Sequence, residues 1–245
     1  MSRNRAAKAQ RRMTNKENTI SFSQVSPTPQ KVRKIDLIPR TRNQERLVLA
    51  LQDPEQHIVV TVGPAGTGKT YLAMLAAVKA FREGEVQRIV LTRPAVGVED
   101  EKHGFLPGDL NQKMDPWVRP LTDILREYYK QPDINDMIQE QLIEISPLAF
   151  MRGRTFKDAF IIADEMQNAT PSQVKMLMTR IGENSKIVIT GDVEQADRKG
   201  VNNGLLDLCD RLHDSGVKGI AVANLDGRDI QRHPIISSVL QLYAD

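Results

Sequence analysis

Six short apolar runs alternate along this chain with longer segments whose apolar residues recur at helical spacing. The runs are Ile58–Val62, Arg88–Thr92, Ile143–Ser146, Ala159–Ala163, Lys186–Thr190 and Ile220–Asn224. Each is nearly continuous rather than alternating, the pattern of strands buried on both faces. It predicts an α/β fold: one lobe built on a parallel sheet with helices on both faces. Helices are predicted over Thr41–Leu51, from Lys69 to Gly84, over Leu121–Lys130 and Ile134–Leu142, from Thr170 to Ile181, and within Gly200–Asp214 and His233–Tyr243. Their ends carry recognisable signals. Asp53-Pro54 stops the first, Thr170-Pro171-Ser172-Gln173 is a capping box with proline at the first helical position, and Gly182 is the expected stop of that helix. Between Val96 and Asp109 no periodicity survives, which predicts a long loop, functional or mobile.

Length and composition narrow the picture. A chain of 245 residues can bury one good core but hardly two full nucleotide-binding lobes. No apolar run approaches the roughly 20 residues of a membrane span. The N-terminus is polar and basic where a secretory leader would be apolar, so a cytoplasmic location is expected. Cys209 is the only cysteine, and the four histidines lie far apart, so neither an internal disulfide nor a structural zinc site is expected. The net charge of +3 divides unevenly. Nine of the 34 lysines and arginines but only one of the 31 acidic residues fall within residues 1–34, leaving a body of 25 basic and 30 acidic residues with a net charge of −5. A disordered basic tail over residues 1–34 and an ordered domain over 35–245 are therefore expected. The tail reads either as an arm on nucleic acid or as a solubilising leader.

The candidate chemistry starts at the first strand. Ile58–Val62 runs into GPAGTGKT, and an apolar-periodic segment leaves through Lys69 and Thr70. Gly63, Gly66 and Gly68 would let the backbone of Pro64, Ala65 and Thr67 curl closely around a phosphate, and the helix dipole would point its positive end at the same anion. Lys69 would neutralise β and γ oxygens, and the Thr70 hydroxyl would ligate Mg²⁺, with Tyr71 completing the candidate nucleotide contacts. Asn43 and Gln44 lie at the start of the preceding helix. An amide there can pair with the N6/N7 edge of adenine, or it can be an ordinary polar helix start. The strand Ala159–Ala163 ends in Asp164 and Glu165, two adjacent carboxylates suited to a metal-linked role for one and water activation for the other.

These residues, together with LTRPAVGVEDEKHGFLPGDLNQKMDPWVRPL (Leu91–Leu121), SPLAFMRGRTF (Ser146–Phe156), DEMQNAT (Asp164–Thr170), TGDVEQAD (Thr190–Asp197) and DIQRHP (Asp229–Pro234), resemble the PhoH family of P-loop ATPases. The resemblance implies a RecA-like core related to the first lobe of superfamily 1 helicases. DEMQ would then be the Walker B motif and Gln195 of GDVEQ the γ-phosphate sensor. It also implies Mg²⁺-dependent ATP hydrolysis, with Lys69 on the γ-phosphate, Thr70 and, through water, Asp164 on the metal, and Glu165 on the attacking water, and an association with RNA. Arg93, Arg152 and Arg154, near strand ends, are the candidate contacts to RNA or another single strand. A nucleotide-dependent binding or assembly module without translocation is the alternative, and a small-molecule kinase a weaker one. A superfamily 1 motor closes two lobes over one ATP with an arginine from the second. The expectation for a single lobe is a homo-oligomeric ring, hexameric for preference, with Arg232 the first candidate for the arginine acting between copies and Arg228 the second.

Overall fold

A computed structural model describes residues 34–94, 119, 122–195 and 203–231. The expectations for the basic tail, the loop after Val96, the closing helix and Arg232 lie outside these residues. All six predicted strands form: β1 (Ile58–Val62), β2 (Arg88–Arg93), β3 (Ile143–Pro147), β4 (Ala159–Ala163), β5 (Lys186–Gly191) and β6 (Ile220–Asn224). They make one sheet in the order β3-β2-β4-β5-β1-β6, with every pairing parallel. Chemistry at the ends of β1 and β4 is thus brought together across β5, which lies between them.

Alternate residues of the four inner strands, β2, β4, β5 and β1, feed two apolar layers. Val59, Ile89, Leu91, Phe160, Ile162 and Val188 face a core closed by α1 (Arg42–Gln52), α2 (Lys69–Glu83) and α3 (Gln131–Gln139). Val60, Val90, Ile161, Ile187 and Ile189 face a second core closed by α4 (Pro171–Met178) and α5 (Gly204–Leu212). Both faces being apolar is why the strands read as continuous runs instead of alternating ones. α2 is the most deeply set helix: every residue from Leu72 to Val78 is buried. Among the described residues no helix is long and apolar enough to cross a membrane.

Three helices differ from expectation at their ends, and the one expected over Leu121–Lys130 gives way to a turn after Arg126. α4 ends at Met178, three residues before Ile181. The chain there turns to bridge residue 156: Phe156 N–H donates to Arg180 O (2.9 Å) and Gly182 N–H to Phe156 O (2.7 Å). A Cβ on Gly182 would lie 2.5 Å from Phe156 O, so this glycine serves a close backbone approach and not a helix cap. α3 begins at Gln131, three residues before the predicted Ile134, because Pro132 and the Asp133 carboxylate, which accepts from Lys130 N–H (3.3 Å), start it there. It stops early because Gln141 takes φ 58° and Leu142 N–H bonds back to Met137 O (2.8 Å).

Candidate nucleotide site at the carboxyl edge of the sheet

Gly63 leaves β1 at φ 148°, and a Cβ there would sit 2.3 Å from Leu225 O, so the loop must begin with glycine. Gly66 and Gly68 follow in the left-handed region, both at φ 85°. Thr67, fully buried, donates its hydroxyl to Pro64 O (2.9 Å) and ties the loop to itself. Lys69 is the first residue of α2, and its ammonium donates to Gly63 O (2.6 Å) and Pro64 O (2.8 Å). The lysine is thereby held over the loop's own carbonyls. Gly68 caps α2 with no side-chain hydrogen bond, so the first-turn N–H groups of this helix have no side-chain acceptor from the cap, the condition in which a helix start receives an anion.

Across β5 stand the carboxylates. Asp164 N–H donates to Thr92 O (3.0 Å), extending the β2–β4 ladder by one step. Its Oδ1 accepts from Thr70 Oγ1 (2.8 Å) and from Thr190 Oγ1 (2.5 Å). Loop, helix start, β4 and β5 therefore meet at one carboxylate that is 8% exposed. Glu165 follows with φ 55° and ψ 39°, a left-handed conformation that turns the chain out of the strand. Its Oε1 pairs with Arg93 (2.8 Å) and its Oε2 accepts from Gln167 Nε2 (2.6 Å). Gln167 Oε1 in turn accepts from Asp192 N–H (3.1 Å), beyond the end of β5.

The side chains gathered at Asp164 offer oxygen donors. One hydroxyl and one carboxylate lie 2.8 Å apart at a phosphate loop, and among the described residues no group of three or more His, Cys, Asp and Glu could make a closed metal cage. Hard oxygen donors in such small number fit a Mg²⁺ that takes its remaining ligands from substrate phosphate and water.

The other predicted residues bond within the chain or stand exposed. Gln44 is buried, donates to Thr67 O (2.9 Å) and accepts from Arg40 N–H (2.8 Å). Its amide braces the phosphate loop, and bidentate adenine pairing would require both bonds to be exchanged. Asn43 donates to Asp229 (2.9 Å) and Asp226 (3.3 Å). Arg93 lies on Glu165 and, at 3.8 Å, near Asp164. Arg154 makes a two-armed ion pair with Glu144 of β3 and stacks 4.5 Å from the Phe156 ring centroid. Both arginines bind carboxylates of their own chain, and of the three nucleic-acid candidates Arg152 alone is exposed. Tyr71 is 40% exposed and donates to Glu127 (3.4 Å). Gln195 is exposed in the turn after β5, its N–H on Asp192 O (3.2 Å).

The turn after β6 docks on this site. Gln231 N–H donates to Gly66 O in the phosphate loop (2.9 Å), and buried Asp229 accepts from Thr41 Oγ1 (2.5 Å) and Asn43. Arg228 is paired with Asp226 (2.7 Å), whose carboxyl the guanidinium pulls down to about 2. Sequence reasoning assigned no role to Thr190 or Gln167. Both lie in motifs, TGDVEQAD and DEMQNAT, but a hydroxyl at a strand end and an amide two residues past a carboxylate acquire meaning only from what faces them.

The profile of the PhoH-like protein family matches residues 36–244. A PhoH-like protein of Bacillus subtilis is 46% identical over 205 residues, covering 83% of this chain and 63% of that protein. The protein PhoH of Escherichia coli K12 is 35% identical over 212 residues, covering 83% and 57%. The chain thus spans about six tenths of the length of these curated relatives. Among solved structures, the Pyrococcus furiosus Hef helicase domain aligns with a TM-score of 0.42 at 12% identity, over 76% of this chain and 38% of that one, a likeness too loose to bear on activity. With the family profile running through the phosphate loop, both carboxylates and the turn that braces them, the chain belongs to the PhoH-like protein family.

Proposed function

We propose that this chain hydrolyses ATP with Mg²⁺ and couples the reaction to RNA or another single-stranded nucleic acid. The observation that carries the first half is the meeting of Thr70, Asp164 and Thr190 at the end of the phosphate loop, with Glu165 beside them. Mg²⁺ held by Thr70 and Asp164 would neutralise charge on the phosphates. Lys69, drawn off the loop carbonyls, would exchange two neutral acceptors for a phosphate oxygen. The α2 N-terminus and the loop N–H groups would hold the remaining phosphate oxygens. Glu165 would take the proton of the attacking water as its oxygen bonds the γ-phosphorus and the bond to the β–γ bridging oxygen breaks. Water activation beside the γ-phosphate favours hydrolysis over transfer to a small acceptor, since a kinase must exclude water. Gln195 is suited to reading the γ-phosphate from the β5 turn. Support for the nucleic-acid half is narrower: family membership, and two exposed residues just past the end of β3, Arg152 and, two positions earlier in the sequence, Phe150, 56% exposed. An exposed cation and an exposed aromatic side chain in one short segment suit a single strand.

The test separates binding from chemistry. Lys69→Ala should abolish nucleotide binding, because the lysine meets phosphate charge in the ground state. Glu165→Gln should keep a fluorescent ATP analogue bound while phosphate release falls by about 10²–10⁴, the usual contribution of a general base. Hydrolysis by Glu165→Gln at the wild-type rate would move the water-activating role to another residue. Phosphate release measured with and without single-stranded RNA tests the coupling.

A further inference from the structure

We propose that Arg93 is a positioning residue that restrains Glu165 in a resting orientation and is drawn off it by a phosphate anion. This rests on the hydrolytic reading above and adds its regulation. Arg93 is the last residue of β2, and the Asp164 N–H bond to Thr92 O carries the β2–β4 ladder to the level of the carboxylates. The guanidinium therefore lies alongside them by strand register, 2.8 Å from Glu165 Oε1 and 3.8 Å from Asp164 Oδ2. Gln167 holds the other Glu165 oxygen at 2.6 Å and is itself anchored to Asp192 N–H. Both oxygens of the group that must turn to a water are thus bonded within the chain, and the backbone beneath them is fixed in a left-handed conformation.

Of the two restraints, Arg93 is the one an anion can remove. Gln167 is neutral and 4% exposed, whereas the Arg93 side chain is 25% and that of Glu165 39% exposed. Arg93 is also the cation beside two adjacent carboxylates. Once a divalent cation and a phosphate reach Asp164, the charge that held Arg93 is partly neutralised and a stronger anion stands nearby. A partly exposed ion pair is weak, worth up to about 1 kcal/mol, or roughly fivefold in an equilibrium. Such a restraint is easily released yet large enough to measure. The phosphate is that of a nucleic-acid strand passing the end of β2, since a restraint that the bound nucleotide itself removed would not limit kcat.

The experiment uses the full chain and measures phosphate release from Mg·ATP, affinity for a fluorescent ATP analogue, and both again with polyuridylate. Arg93→Gln is expected to raise the basal kcat roughly two- to fivefold, the size of the pair, with nucleotide affinity unchanged. Arg93→Lys, which restores a cation without the planar fork, should fall between it and wild type. Stimulation of wild type by polyuridylate that Arg93→Gln lacks identifies the strand as the source of the phosphate. A wild type indifferent to polyuridylate beside a faster Arg93→Gln leaves a restraint that no strand phosphate removes and overturns release by an anion, because nucleotide is already bound when kcat is read. An unchanged or lower kcat in Arg93→Gln overturns the proposal. So does additivity of Arg93→Gln and Glu165→Gln in urea unfolding, a readout independent of turnover. If Arg93→Gln does not fold, Arg93→Lys carries both tests at smaller amplitude. Absence of phosphate release by wild type under every condition overturns the hydrolytic reading, and this proposal with it, whereas release that Arg93→Gln does not accelerate sinks this proposal alone.

Discussion

Glu165 occupies a backbone conformation, φ 55° and ψ 39°, that costs a non-glycine residue about 1–3 kcal/mol. It persists because Asn168 N–H bonds Glu165 O (3.1 Å) and because Arg93 and Gln167 hold the side chain. Strain of this kind collects where a side chain must be aimed, which fits the role proposed for Glu165. A second local cost lies in the strand that feeds the phosphate loop. The Thr61 hydroxyl is completely buried in β1 and has no hydrogen-bond partner among the described residues. Replacing it with the isosteric valine removes an unsatisfied polar group, so Thr61→Val should raise unfolding stability by about 1–3 kcal/mol. Urea denaturation at constant m-value checks this, and a destabilised Thr61→Val would show that the hydroxyl has a partner in solution. Side-chain roles were the part least legible in the sequence. Gln44 and Arg154 have the right chemistry for adenine and phosphate, but each reaches an acceptor of its own chain first, Thr67 O and Glu144.

At the scale of elements, the phosphate loop is held by parts far apart in sequence. The N-terminus of α1 and the turn after β6 meet through Asp229, which accepts from Thr41, Asn43 and Asp226 N–H. Burial pushes the Asp229 carboxyl up, but these three bonds outweigh it and leave it below its ordinary value. The unfolded chain therefore takes up this proton first as pH falls. Stability from Asp229 is fully present above its unfolded value of 3.8 and is lost as pH drops through the lower folded value. Asp229→Asn should cost about 1–3 kcal/mol at pH 7, the range for hydrogen bonds to a charged group, and its deficit against wild type should shrink below pH 3.8. Urea midpoints of both proteins across that range test the assignment, and a deficit independent of pH would mean the ionised carboxylate is not what the bonds require. Element positions themselves were largely legible, since each strand is an apolar run and Gly84, at φ 74°, ends α2 as its sequence suggests. The boundary of α4 was not, because its end is set by Phe156, more than twenty residues upstream.

For the molecule as a whole, the sheet order brings β1 and β4 to either side of β5, so nucleotide chemistry collects along one edge. The arginine expected to complete the transition state is the remaining question of assembly. Arg228 is tied to Asp226, and using it across an interface would first break that pair. Arg232 stays the first candidate. A ring with ATP between copies predicts an oligomer by light scattering and a hydrolysis rate per protomer that falls on dilution. A monomer at working concentration with a dilution-independent rate would refute it. Mixing Glu165→Gln with Arg232→Ala protomers should restore some hydrolysis if the arginine acts across the interface, and no recovery in confirmed mixtures would count against Arg232.

The sequence by itself determined the fold class, the phosphate loop and the two carboxylates, because each is a local pattern. Burial on both faces writes itself as an apolar run, and a tight anion-binding curl requires glycines at fixed spacing. Only the tertiary structure decided what each polar side chain faces. Thr190 joins Asp164, Gln167 and Arg93 hold Glu165, Gln44 braces the loop, and Arg154 is taken by Glu144. These pairings depend on strand order and register between segments distant in the chain, and hydrogen bonds and ion pairs act over a few ångströms that no sequence spacing measures.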